Sequence, residues 1–159
     1  MQLLFAILAD AATVARDGRL SILNGDLGAI EATAFPAVHP YFSLVAKLRA
    51  TQEDGATGHV FRAELIGPNG TQLVKPASGM LPFQVTLEDE DKGTFTAGIA
   101  ISFPLLVFPT PGKYTFHLFV DDLELGTVPL LLRLIPAQAS EADIHAIDAA
   151  TSSQTEDAP

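Results

Sequence analysis

The 159-residue sequence contains no cysteine and no tryptophan. The absence of cysteine excludes disulfides, thiolate metal ligands and a cysteine nucleophile within this chain. It is compatible with a reducing compartment, and we expect a cytoplasmic protein. No uninterrupted apolar run reaches about 18 residues, so the sequence predicts no membrane-spanning helix.

Basic residues are also few, with 9 Lys and Arg against 19 Asp and Glu, which gives a net charge of −10. The bases are scattered singly, whereas nucleic-acid backbones and anionic membranes are bound by clustered positive charge. We therefore expect neither partner. Residues 136–159 carry no Lys or Arg and no Phe, Tyr or Trp, and we interpret them as a flexible acidic tail. Residues 1–135 are then one folded domain of ordinary size.

The opening segment has two interpretations. Residues 3–9 (LLFAILA) are apolar, as in a signal peptide, and Ala9-Asp10-Ala11 resembles a cleavage site. However, no Lys or Arg precedes the apolar run. Both alternating faces of the run are apolar, which is typical of a strand covered on both sides. Asp17-Gly18, a strong hairpin signal, follows. The sequence therefore favours a first strand.

The remaining chain consists of short alternating segments separated by turns such as Pro68-Asn69-Gly70 and Asp121-Asp122. The alternating segments are residues 43–49, 59–66, 82–88, 94–103, 113–120 and 127–135. Apolar residues at every second position indicate strands. The sequence predicts an all-β fold, a single antiparallel immunoglobulin-like β-sandwich. Gly112-Lys113-Tyr114 resembles the tyrosine corner of such sandwiches, although a simple Pro-Gly turn before a buried strand explains it equally well.

Three segments together resemble a family of small uncharacterised bacterial β-sandwich proteins. They are residues 3–12 with 17–23, residues 35–40 (FPAVHP), and residues 108–121. The resemblance spans nearly all of residues 1–135, but its motifs are turns and strand boundaries and carry no chemistry. It implies that the N-terminal segment begins the folded domain, and it implies no activity. Members of that family end near the last strand, so the acidic tail is a departure.

Motifs for catalysis are weak. The four histidines show no metal-ligand spacing, and no nucleophile elbow or phosphate-binding loop is present. We expect no enzyme activity, no cofactor and no metal. One alternative is a loop-end site for a small ligand or carbohydrate, calcium-dependent through an acidic run that otherwise forms a solvated turn. Its residues would be His39, Tyr41, Glu88, Asp89, Glu90 and Asp91.

The most suggestive feature is apolar. Residues 103–109 (FPLLVFP) are hydrophobic across two prolines. They form either a buried edge strand or an exposed patch that docks a protein partner or a second copy. The candidate interface residues are Phe103, Leu105, Leu106, Val107, Phe108 and the outward-facing Phe119. Our leading hypothesis is a non-catalytic protein-interaction or assembly module.

Overall fold

The computed structural model describes residues 1–51, 54, 58–81 and 94–136. Within these ranges the chain forms nine strands, which confirms the all-β prediction. They are β1 (Gln2–Val14), β2 (Leu20–Gly25), β3 (Ala29–Ala32), β4 (Ala37–Thr51), β5 (Val60–Ile66), β6 (Ala77–Met80), β7 (Thr94–Phe108), β8 (Gly112–Val120) and β9 (Leu123–Leu134). The predicted strand at residues 82–88, the acidic run and the tail beyond residue 136 lie outside the described residues.

The strands form two sheets. One has the order β2-β1-β4-β7, and the other has the order β3-β9-β8-β5-β6 and curls into half of a barrel. All pairs are antiparallel except β3 with β9, which run parallel. This pair departs from the predicted antiparallel arrangement. It arises because the chain crosses from β2 in the first sheet to β3 at the open edge of β9.

The main core lies between the two sheets. Phe42 of β4 stacks on Phe103 of β7 with ring centroids 5.5 Å apart, and it meets Phe116 of β8 edge-on at 6.0 Å. On β8 the alternation follows the sequence pattern, because Phe116 and Leu118 are buried and His117 between them is half-buried. Burying each such apolar side chain contributes about 1.5–3 kcal/mol, so this layer holds the sheets together.

β1 is covered on both faces around Leu8 and Ala9, as its sequence predicts, whereas Phe5 earlier in the strand is exposed. Leu8 packs into the main core, whereas Ala9 packs on the outer face of the sheet against Val45. Val45 is thus fully buried although its position faces outward. The hairpin of β1 and β2 covers this region, and a Cβ at Gly98 of β7 would lie 3.1 Å from the carbonyl oxygen of Gly18 at the hairpin turn. The hairpin therefore lies across part of the outer face.

The connection from β7 to β8 carries the bond expected of a tyrosine corner. Tyr114 is fully buried, and its hydroxyl donates to the backbone carbonyl of Thr110 at 2.8 Å. Its ring meets Phe108 edge-on at 5.0 Å. Gly112 has φ +137°, and a Cβ there would lie 2.7 Å from the Pro68 side chain. Glycine is required at this position both for its conformation and for its close approach.

Candidate functional site

The first half of β4 and the last part of β7 share an unusual irregularity. Phe103 and Leu106 of β7 both point into the core, while Pro104 and Leu105 between them are exposed. Leu105 has φ +51°, a conformation that is a genuine outlier for a bulky residue. Opposite it on β4, Pro40 and Tyr41 are both exposed as well. In each strand two consecutive residues are exposed, so the alternation of inward and outward side chains reverses there, and it does so at the same level in both strands.

The pairing of β4 with β7 continues through this exchange. Tyr41 is opposite Pro104 on one side of it, and Val38 is opposite Val107 on the other. As a result, apolar side chains of both strands are presented to solvent next to each other. We name this the β4–β7 surface: Val38 (60% exposed), Tyr41 (42%), Leu105 (70%) and Val107 (48%).

A short chain of hydroxyl groups borders the β4–β7 surface. The Tyr41 hydroxyl donates to Ser102 Oγ at 2.6 Å, and Ser102 Oγ lies 3.4 Å from Ser43 Oγ. Ser43 is fully buried. The hydrogen bond restrains the Tyr41 side chain, so its exposed ring has little side-chain entropy left to lose in a contact.

The structure separates the six predicted interface residues. Phe103, Leu106 and Phe108 are buried in the core, because the exchange of faces at Leu105 returns the later residues inward. Leu105 and Val107 lie on the β4–β7 surface. Phe119 lies on the other sheet, half-buried, and the Arg62 guanidinium stands 4.1 Å above its ring centroid. Val38 was missed because residues 35–40 suggest a loop.

The residues of the predicted loop-end ligand site do not converge in the described part of the chain. His39 points inward, with its ring centroid 5.7 Å from that of Phe42. Tyr41 lies on the opposite face of the same strand, bonded to Ser102. Glu88, Asp89, Glu90 and Asp91 lie outside the described residues, so the calcium hypothesis stays a prediction.

A cluster of polar groups around His59, which sequence reasoning missed, lies at the far end of the molecule. His59 Nδ1 bonds the carboxylate of Asp121, and its Nε2 lies 2.6 Å from the backbone carbonyl of Asp54. The bond to Asp121, followed by that to Asp54, raises the pKa of His59. The same bond from His59 lowers the pKa of Asp121. Because both partner oxygens only accept, the ring donates from both nitrogens and is protonated when both bonds form.

The Asp54 carboxylate takes part in the same end of the fold. It accepts the backbone N–H of Thr51 at 2.9 Å and lies 3.2 Å from the α-amino group of Met1. The bond from Thr51, followed by that from the amino group, lowers the pKa of Asp54 to about 2. The cluster thus ties the start of β5 to the β8–β9 turn and to the segment after β4. This is the arrangement of a structural clamp.

An apolar cleft of about 300 Å³ opens between β6 and β7. Its lining includes Val14, Phe61, Met80, Leu81 and Ile99. Across the described ranges, no group of three or more His, Asp or Glu side chains is arranged to hold a metal ion. In the same ranges no helix has the length and apolar character needed to cross a membrane.

Comparison with solved structures finds a likeness to the alkylpurine DNA glycosylase AlkC of Pseudomonas fluorescens, solved bound to DNA containing an abasic site analog. The likeness has a TM-score of 0.37 and 13% identity, and it covers 67% of this chain and 27% of that chain. The chain thus spans about a quarter of that protein's length. At this TM-score the likeness carries no argument about fold or function.

Sequence comparison gives a clearer result. No curated protein matches the chain. The model of a family of unknown function, DUF6941, matches residues 4–133. That range covers nearly the whole described fold, from β1 to the end of β9, and it agrees with the resemblance to an uncharacterised family. The chain therefore belongs to DUF6941, a family of unknown function.

Proposed function

We propose that the protein is a non-catalytic, cytoplasmic interaction module that docks a protein partner on the β4–β7 surface. The observation that carries the proposal is the adjacency of four exposed apolar side chains around Leu105, the most exposed of them. Leu105 is held outward by a strained backbone, and such strain concentrates at functional sites. Apolar and aromatic side chains surrounded by polar groups are typical of interface centres.

The chemistry of the surface favours a protein over a nucleic acid or an anionic membrane. None of its four side chains is charged, and the chain carries a net charge of −10. Binding to a phosphate backbone needs clustered Lys and Arg. An apolar surface with one aromatic hydroxyl instead matches the core of a protein–protein interface.

The same proposal includes an immunoglobulin-like sandwich as the scaffold. In such sandwiches strands A, B and E share one sheet and strands C, F and G the other. The neighbours β1-β4-β7 and β9-β8-β5 have the corresponding order along the chain. The bond from Tyr114 to Thr110 supports the same assignment. Domains of this class commonly act as binding modules on a rigid double sheet.

The test compares two aspartate substitutions at leucines of similar exposure. Leu105 is 70% exposed on the β4–β7 surface, and Leu123 is 66% exposed at the start of β9. Aspartate tolerates the positive φ at residue 105, so Leu105→Asp keeps the fold. Tagged wild-type protein, Leu105→Asp and Leu123→Asp are used to capture partners from lysate at low and high salt, with quantitative mass spectrometry.

We expect a stoichiometric partner that persists at high salt, because salt screens charge pairs but not apolar contacts. Leu105→Asp should reduce its recovery at least about tenfold, as for a residue at an interface centre. Leu123→Asp should leave recovery unchanged. Equal recovery by all three proteins contradicts docking on this surface.

The alternative, a calcium-dependent ligand or carbohydrate module, has a separate test. On the interaction-module proposal, calcium and simple sugars leave the melting temperature unchanged. A calcium-dependent rise that disappears in an Asp89→Asn, Asp91→Asn double variant would favour the alternative, because ligand binding to the native state raises its stability. The double variant without calcium is the control.

A further inference from the structure

Among the strands that the structure describes, β2 is an edge strand that lacks two of the usual protections against pairing, charge and proline. It ends the four-stranded sheet, and residues 21–25 are exposed. Its sequence, LSILNG, contains no charge and no proline. Edge strands are normally protected by charges, prolines or short length. By comparison, the edge strand β3 has only four residues and carries Glu31, and β6 also has only four residues.

The hydrogen-bond pattern of the β1–β2 hairpin shows which backbone groups face outward. The Ala15 N–H donates to the Arg19 carbonyl at 2.8 Å, which sets the phase of the ladder. Antiparallel pairs alternate between hydrogen-bonded and non-hydrogen-bonded. Ser21 and Leu23 therefore exchange bonds with β1, and Ile22 between them does not. The N–H and C=O of Ile22 point away from β1, toward the open edge.

We propose that two copies of this chain pair through their β2 edges, antiparallel, about a two-fold axis at Ile22. The outward N–H and C=O of Ile22 then bond those of Ile22 in the second copy. The two four-stranded sheets become one eight-stranded sheet. Such an interface is isologous, since the same strand serves both copies, and it closes as a dimer.

The charges that flank β2 favour this orientation and this occupant. Arg19 precedes the strand and Asp26 follows it. In the antiparallel pair, Arg19 of one copy lies near Asp26 of the other at both ends, whereas a parallel pair would place like charges together. The ion pair of Arg19 with Asp17 is exposed and contributes little, so it does not hold Arg19 away. Leu23 is 60% exposed. In the proposed dimer it faces Ser21 of the second copy, and its side chain becomes partly buried.

The first test uses the natural absence of cysteine, because each single substitution then supplies one thiol per chain. In the proposed register, two Ile22→Cys residues are a hydrogen-bonded pair with Cα atoms about 5.5 Å apart, which permits a disulfide. Two Leu23→Cys residues lie two positions out of register, about 8 Å apart, beyond the range of a disulfide. Leu23→Cys is the matched control.

We expect Ile22→Cys to oxidise to a covalent dimer under mild conditions and Leu23→Cys to remain mainly unlinked. Sedimentation equilibrium over a concentration series should show the cysteine-free chain approaching twice its 16.8 kDa mass. A chain that stays monomeric across the series overturns the proposal. Equal cross-linking of the two cysteine variants overturns the register.

The second test removes the outward hydrogen bond. Ile22→Pro deletes an N–H that makes no bond to β1, and proline is tolerated at edge positions of this kind. We expect a folded monomer, with folding verified by circular dichroism. If that variant fails to fold, Ile22→Lys places two like charges at the axis and serves instead. A dimer that survives in the folded variant overturns the proposal.

Leu105→Asp separates this dimer from the proposed partner-docking function. The β4–β7 surface and the β2 edge share no residue, so Leu105→Asp should lose the partner and keep the dimer. Conversely, Ile22→Pro should lose the dimer and keep the partner. Loss of the dimer in Leu105→Asp would place the self-association on the β4–β7 surface and overturn the β2 assignment.

Discussion

Replacing Leu105 with asparagine should stabilise the protein, although the change removes an apolar side chain. Leu105 has φ +51° and is 70% exposed. The left-handed conformation costs a residue such as leucine roughly 1–2 kcal/mol, and asparagine is among the residues that visit it most readily. The lost burial is small. With about 30% of the side chain covered and about 1.5–3 kcal/mol for full burial of a leucine, it amounts to roughly 0.7 kcal/mol.

The control is Leu123→Asn, because Leu123 has nearly the same exposure, 66%, and is not among the positive-φ residues. Leu123→Asn should lower the free energy of unfolding by roughly 0.7 kcal/mol, because no backbone strain is relieved in return. The two variants should therefore differ by about 1–2 kcal/mol, or roughly 3–6 °C in melting temperature for a domain of this size. Calorimetry or urea unfolding measures this difference. Equal destabilisation by both substitutions would refute the strain at Leu105.

Three further substitutions test the scaffold. Tyr114→Phe removes the hydroxyl bond to Thr110 and should cost about 1 kcal/mol in urea unfolding; an unchanged midpoint would show that the bond contributes nothing. His59→Gln should lower the free energy of unfolding mainly between about pH 4 and 6.5. The raised pKa of His59 gives stability that is lost as the pH rises through that pKa. The lowered pKa of Asp121 gives stability that is lost on strong acidification. The difference in melting temperature between the wild-type protein and His59→Gln should become smaller toward pH 9. A difference that grows there would contradict the clamp. Phe116→Ala should cost about 3–5 kcal/mol, and a loss below about 1 kcal/mol would contradict its place between the sheets.

The sequence predicted strands where the alternation of apolar residues is long and regular. β8 is the clearest example, because Phe116 and Leu118 lie inward as expected. β3 (Ala29–Ala32) and β6 (Ala77–Met80) were missed because four residues carry almost no periodic signal. Their positions depend on the neighbours with which they pair, β9 and β5. The start of β4 was missed because Pro36 and Pro40 suggest a loop.

The candidate surface was predicted only in part, for a specific physical reason. Strict alternation from Phe103 onward places Leu105 inward and Leu106 outward, and the structure shows the reverse. No local signal marks a positive φ at leucine. Phe103, Leu106 and Phe108 cannot share one face of a regular strand, so their common burial becomes visible only in the structure. The partner of His59 was invisible for another reason, since Asp121 lies 62 residues away.

The parallel pair of β3 and β9 has a consequence for how this protein is made. Ala29 pairs with Leu131, so the two strands are separated by about a hundred residues of chain. During synthesis, β3 therefore leaves the ribosome long before its partner exists. Pairings of this range form late and slowly compared with local hairpins. Until β9 emerges, both β3 and β8 present unpaired edges, and such edges are open to pairing with other chains.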